Sequence, residues 1–316
     1  MNIVIAGGTG FIGRALCDSL CQEGHRITLL TRRTAEAQQP GGSAVTAVEW
    51  NGRETGLWDR CLDGADAVIN LAGAPIADGR WTKARKQLLT DSRVLTTRSL
   101  AQAISRCSSK PRTLINASGI GYYGTGDNRE QPEDAPHGAG FLAELCLAWE
   151  KEAIRASAFG TRVVQLRIGM VLGPDGGALA KMLPPFQYFL GGPILPSTQW
   201  VSWIHRRDLI GLIQWLLATP HISGPVNAVA PEAVTMAQFC KVLGHVLHRP
   251  SWLPVPSFML HLALGELATL ITTGQRVIPA KALSGGYRFQ YPQLESALAN
   301  LLSTYKKMEQ QKPLGE

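Results

Sequence analysis

The segment Gly7-Gly8-Thr9-Gly10-Phe11-Ile12-Gly13 constrains this chain more than any other feature. It stands between the apolar run Asn2-Ile3-Val4-Ile5-Ala6 and a helical pattern over Phe11–Glu23. A glycine-rich turn that follows a strand and opens a helix starts a βαβ unit shaped to hold a dinucleotide. Gly7 permits the tight turn, Gly10 lets the backbone approach a pyrophosphate, and Gly13 lets the helix sit close to the strand. The free N–H groups at the helix start, with the positive end of its dipole, then meet the phosphates. Gly7, Thr9, Gly10, Phe11, Ile12 and Gly13 are the cofactor contacts expected of this turn.

The rest of the first two thirds fits such a unit. Short strands are predicted at Ile3–Ala6, Arg26–Thr31, Val45–Glu49, Ala67–Leu71, Thr113–Ser118 and Arg162–Ile168. Helical patterns cover Phe11–Glu23, Thr82–Arg106 and Phe141–Ala158. Strands alternating with helices predict an α/β fold: a Rossmann-type, doubly wound parallel sheet covered on both faces. The dinucleotide-binding domain is read as 1–173, its sheet completed by 226–229. Past Gly173-Pro174 the chain is rich in glycine and proline, with Gly176-Gly177, Pro184-Pro185 and Gly191-Gly192-Pro193. That texture reads as pocket-building loop. Helices follow at Thr235–Leu247 and Ser257–Ile271. Residues 174–301 are thus a smaller, mostly helical substrate region, and 302–316 a frayed tail.

The end of the second strand selects the cofactor. An acid there would bond a ribose 2′-hydroxyl, whereas a basic residue accommodates a 2′-phosphate. Here the strand runs into Thr31-Arg32-Arg33, with no acid at its tip. A hydroxyl and a planar guanidinium both bond phosphate oxygens, so Thr31 and Arg32 favour NADP. The fourth strand ends in Asn70-Leu71-Ala72-Gly73, where small residues let a cofactor pass close to the backbone. Leu71 and Ala72 would line its adenosine-to-ribose stretch.

Net charge narrows the partners. The chain carries 31 Lys and Arg against 24 Asp and Glu, a formal +7, which suits an anionic ligand. The cations are scattered, and the densest run, Lys83-Ala84-Arg85-Lys86, reads as a solvated helix face, so no nucleic-acid partner is expected. No membrane partner is expected either, because the apolar stretch Phe258–Ile271 is broken by His261 and Glu266 and is too short to span a bilayer. The six cysteines show neither a Cys-x-x-Cys pair nor zinc-ligand spacing. Together with a start directly on a strand, that predicts a cytoplasmic protein with reduced thiols and no metal.

In their order, these residues resemble the extended short-chain dehydrogenases/reductases. The nearest likeness is an atypical subgroup of NAD-dependent epimerase/dehydratase type with an extra C-terminal module. Its marks are Arg80-Trp81, Asp91-Ser92-Arg93, Gly121-Tyr122-Tyr123-Gly124, Trp149-Glu150 and Ser202-Trp203-Ile204-His205. The stretches Leu253-Pro254-Val255-Pro256 and Gly274-Gln275-Arg276-Val277-Ile278-Pro279 resemble its C-terminal module. The resemblance implies an NADP-dependent oxidoreductase or epimerase acting on a small organic molecule, and by analogy a homodimer. It puts Arg93 within reach of cofactor phosphate or ribose, with a structural salt bridge as the other reading. It puts Val171 at the nicotinamide end.

The resemblance also shows what is missing. In the wider family a Ser follows the fifth strand, and a Tyr-x-x-x-Lys motif opens the next helix. The lysine holds the ribose and favours ionisation of the tyrosine. Ser118 matches the serine, but Leu142 stands at the tyrosine position and Cys146 at the lysine position. Leu142 carries no proton, and a buried helical cysteine is read as a core residue. Three readings stay open. Tyr122, or its neighbour Tyr123, replaces the proton donor; hydride transfer needs little acid–base help; or the site is silent and reports dinucleotide state to a partner. The candidate catalytic pair is accordingly Ser118 and Tyr122. His205 is read as a tether for its loop, and His245 and His248 as surface residues.

Overall fold

A computed structural model describes residues 1–34, 44–53, 56–126 and 128–310. Its centre is a seven-stranded parallel sheet. The strands are β1 (Asn2–Ala6), β2 (Arg26–Thr31), β3 (Val45–Glu49), β4 (Ala67–Asn70), β5 (Thr113–Gly119), β6 (Arg162–Ile168) and β7 (Gly224–Ala228). They lie in the order β3-β2-β1-β4-β5-β6-β7. The chain therefore reverses direction across the sheet between β1 and β4, and this switch point is where open α/β sheets bind ligands.

Alternation along β1 shows why both faces are covered. Ile3 and Ile5 join a core with Leu16 and Leu20 of helix α1 (Phe11–Gln22) and with Leu209 and Ile213 of a later helix. Val4 and Ala6 point the other way, into a core with Leu100 and Ile104 of helix α2 (Lys83–Arg106). Helix α3 (Phe141–Ile154) packs beside α2 and continues as a 3-10 turn, Arg155–Phe159, where the sequence pattern suggested unbroken helix.

Beyond β6 the structure departs from the sequence reading in three places. The glycine- and proline-rich stretch contains helix α4 (Gly177–Gln187), which runs through Pro184 and Pro185. Leu179, Leu183 and Phe186 form its buried stripe, and burial of that stripe overrides the prolines. Helix α5 (Arg206–Ala218) and helix α6 (Met236–Leu247) follow. The single helix expected over Ser257–Ile271 is instead helix α7 (Ser257–Leu264), a 3-10 turn Gly265–Ala268 and a short helix Thr269–Thr272. The break falls at Gly265, whose φ of 63° leaves the helical region. Lastly, the helix Leu294–Gln310 runs through residue 302, where the sequence reading began its tail. Its Leu298, Leu301 and Leu302 share a third core with Leu183 and Phe239. Residues 311–316 lie outside the described residues.

Candidate functional site

The glycine turn closes tightly on the end of β4. Gly7 has φ +79°, and a Cβ there would meet the Leu71 carbonyl carbon at 2.6 Å. A Cβ on Gly13 would collide with the Gly7 carbonyl oxygen, so the helix sits against the turn as the spacing predicted. Helix α1 follows Gly10, which offers no side-chain cap, and has no acid in its first turn. Its leading N–H groups are thus left for an outside acceptor. A pyrophosphate suits that cradle in shape and in sign.

The other cofactor candidates surround this turn. Leu71 N–H donates to the Ala6 carbonyl at 2.8 Å, and Ala72 N–H to Asn70 Oδ1 at 3.1 Å. These bonds hold the backbone of 71–72 beside Gly7. At the tip of β2, Thr31 Oγ1 accepts from Arg33 N–H at 3.2 Å. Arg32 is exposed, and its guanidinium has no partner among the described residues. The Phe11 ring packs on Gly173, Gly176 and Gly177, and the Arg206 guanidinium lies 4.8 Å from the ring centroid. Val171 pairs with Ile204 in a short parallel ribbon and sends its carbonyl toward Gly177. Arg93 donates to the carbonyls of Leu89 (3.1 Å) and Ala74 (2.9 Å) and packs beside Gly73. Burial pushes its pKa down. It braces the loop after β4 and makes no ion pair with a carboxylate among the described residues.

At the ends of β5 and β6 the structure brings Ser118 and Tyr122 into one cluster around Arg167. Ser118 Oγ donates to Glu150 Oε1 at 2.7 Å. Arg167 meets the same carboxylate in bidentate fashion, Nε to Oε1 and Nη2 to Oε2, both at 2.9 Å. Its Nη1 donates to Tyr123 Oη at 3.0 Å, and Tyr123 donates to Asn227 Oδ1 at 2.7 Å. The half-buried Tyr122 ring lies across the guanidinium, 3.4 Å from centroid to Cζ. Burial works against the Arg167 charge, but the Glu150 hydrogen bonds and charge outweigh it and hold the cation protonated. Burial pushes Tyr123 up to about 12. Cys146 is buried against Gly119 and Ser118, and burial with the Glu150 charge pushes its thiol up to about 11. Leu142 packs on Gly121.

The sequence reading missed the residues that tie this cluster to the C-terminal region. Buried Glu133 accepts from the backbone of Asn227 (3.0 Å) and of Lys281 (3.2 Å). Asn227 Nδ2 reaches the carbonyls of Gln131 and Ile278. His205 does tether its loop: Nδ1 accepts from Arg207 N–H at 3.0 Å and caps α5, and the ring stacks on Tyr291 at 4.0 Å. Asp208 accepts from the backbone of Gln290 (2.6 Å) and Tyr291 (2.9 Å). Of the missed residues, Asn227 was signalled only as a polar residue within an apolar strand, and Glu133 by nothing local.

Comparison with known proteins identifies the family. The model of the NAD dependent epimerase/dehydratase family matches residues 3–228, and that of a domain of unknown function (DUF1731) matches 255–301. The epimerase family protein SDR39U1 homolog, chloroplastic, of Arabidopsis thaliana is 41% identical over 96% of this chain and 87% of its own. Epimerase family protein YfhF of Bacillus subtilis (strain 168) is 42% identical over 97% of this chain and 99% of its own. The crystal structure of human epimerase family protein SDR39U1 (isoform 2) with NADPH superposes with a TM-score of 0.86. That structure is 35% identical and covers 96% of this chain and 99% of its own.

Proposed function

The chain belongs to the NAD dependent epimerase/dehydratase family, and from that premise we propose an NADP(H)-dependent oxidoreductase or epimerase acting on a small organic substrate. One observation carries the choice of NADP: Arg32, without a partner among the described residues, beside Thr31 at the β2 tip, next to a glycine turn whose helix is uncapped. The human relative solved with NADPH supports it. When bound, the cofactor supplies or accepts hydride. Gly7, Thr9, Gly10, Phe11, Ile12 and Gly13 would hold its pyrophosphate, and Thr31 and Arg32 its 2′-phosphate. Leu71 and Ala72 line the adenosine-to-ribose path, Arg93 steadies the loop beside it, and Val171 marks the nicotinamide end. Tyr122 delivers the proton from its phenolic oxygen. Ser118 acts through Glu150, which fixes the Arg167 guanidinium beneath the Tyr122 ring. A cytoplasmic site of action suits six unbridged cysteines.

The test is calorimetry with NADPH and NADH, then hydride transfer from NADPH to a panel of carbonyl compounds. Arg32→Ala should weaken NADPH roughly tenfold or more, charge-assisted hydrogen bonds being worth ~1.5–3 kcal/mol, and leave NADH unchanged. Tyr122→Phe should keep NADPH affinity and lose on the order of a hundredfold in turnover. Equal affinity for the two cofactors would remove the NADP argument. A second reading, a silent NADP(H) sensor, is favoured by Leu142 and Cys146 at the tyrosine and lysine positions. Tight NADPH binding with no hydride transfer to any carbonyl would select it.

A further inference from the structure

Exposed apolar side chains gather in two adjoining segments, 188–190 and 252–262. Trp252 and Leu253 N–H both donate to the Gly191 carbonyl, and the Trp252 indole donates to the Phe189 carbonyl at 3.1 Å. Tyr188, Trp252, Phe258 and Leu262 are 75%, 64%, 70% and 79% exposed. Helix α7 reads Ser-Phe-Met-Leu-His-Leu-Ala-Leu, is apolar nearly all round, and buries none of its residues. A solvated helix carries a polar stripe; a helix apolar on all sides belongs in a core or in lipid. Yet α7 is held in place. Arg80 donates to the carbonyls of Leu262 (2.5 Å) and Ala263 (2.9 Å), and Leu195 N–H to the Val255 carbonyl at 3.0 Å. Leu264 and Leu267 root the following turn in a core with Trp81 and Phe141.

Charge selects the occupant. The chain has 24 Asp and Glu, yet neither 176–207 nor 233–265, the stretches within which this face lies, contains one. Their lysines and arginines are Lys181, Arg206, Arg207, Lys241 and Arg249. Two nearby acids are already paired, Asp78 with Lys181 at 3.5 Å and Glu266 with Lys86 at 2.5 Å. Arg249 lies over the Phe189 ring at 4.5 Å and has no carboxylate partner among the described residues. A second copy docked face to face would bring a second Arg249 and no acid from these stretches to meet it. An anionic bilayer meets both the apolar and the basic demand.

We propose that α7 with the Tyr188–Leu190 and Trp252–Leu253 segments is a peripheral docking surface for anionic membranes. Aromatic and aliphatic side chains enter the boundary between headgroups and acyl chains, and Arg249 meets lipid phosphate. The expectation of no membrane partner rested on the lack of a spanning segment. Among the described residues no helix is long and apolar enough to cross a membrane, and surface docking needs none.

Co-sedimentation of the full chain with vesicles tests this, using phosphatidylcholine alone and phosphatidylcholine mixed with phosphatidylglycerol. The chain should bind the mixed vesicles, less so in high salt, and bind pure phosphatidylcholine weakly. The double variant Phe258→Ser/Leu262→Ser should weaken binding to mixed vesicles by about tenfold or more, and Arg249→Glu should weaken it as well. Unchanged NADPH affinity and circular dichroism show that each variant is folded. The proposal is overturned if the wild type stays in the supernatant with mixed vesicles, or if neither variant weakens binding. Sedimentation velocity showing a dimer that the double variant dissociates, without vesicle binding, overturns it in favour of self-association.

Discussion

The two ends of the crevice treat their polar groups in opposite ways. At the nucleotide end they are left unused: helix α1 starts without a capping side chain, and Arg32 has no partner among the described residues. At the other end, where related folds do chemistry, the chain binds its own groups. Ser118 and Arg167 share the Glu150 carboxylate, and Arg167 and Asn227 share the Tyr123 hydroxyl. Buried polar groups must be paired, so the second arrangement is what a scaffold needs. Exposed groups face no such demand, which leaves the first arrangement free to meet a ligand. In the proposed function, then, dinucleotide binding would rest on groups the fold leaves unused, and proton transfer on a tyrosine set beside groups it has already paired.

The comparison breaks most easily at Glu150. Glu150→Ala strands a buried Arg167 cation, and removal of one partner of a buried pair costs about 3–5 kcal/mol. Denaturant unfolding should show that loss, whereas Arg32→Ala should fall within about 0.5 kcal/mol of wild type. If Glu150→Ala proves as mild as Arg32→Ala, the self-paired cluster is not what holds the catalytic end together.

A smaller effect is expected at the joint with the C-terminal region. Burial lowers His205 to about 4, against an ordinary value of about 6.5. The unfolded chain therefore takes up the proton first. Stability from this residue is complete above about pH 6.5 and is lost as the pH falls toward 4, by at most about 3 kcal/mol. Burial raises the neighbouring Asp208 carboxyl, which runs the other way, so the informative quantity is wild type minus His205→Gln across that window. A difference that does not vary with pH there would show that His205 is not held neutral by the fold.

What was legible in the sequence follows the same division. The glycine turn, the strand boundaries near it and the β2 tip are local: a few adjacent residues and one period decide them. All six strands read in the first two thirds are present, displaced by a residue at most at either end. The self-paired cluster was not legible, because Ser118, Glu133, Glu150, Arg167 and Asn227 come from distant parts of the chain. No spacing rule links them. Helix α4 hid behind Pro184 and Pro185, which argue against a helix locally and lose to burial of Leu179, Leu183 and Phe186. The stripe was there to be counted, at spacings of four and three.

The smallest effect, and the sharpest for the comparison, is expected from Ser118→Ala. Its hydroxyl supplies one of three hydrogen bonds to Glu150, and the Arg167 fork keeps the other two. Loss of a single hydrogen bond of this kind costs about 1 kcal/mol. NADPH affinity should not change, and turnover should fall far less than in Tyr122→Phe, because a positioning residue acts only through what it holds. Restoring a hydroxyl with Ser118→Thr should recover most of the stability. Should Ser118→Ala instead lose turnover as fully as Tyr122→Phe at unchanged stability, the hydroxyl itself touches substrate. The two ends of the crevice would then differ in occupancy and not in kind, since even the self-paired end would be releasing a group to a ligand during the reaction.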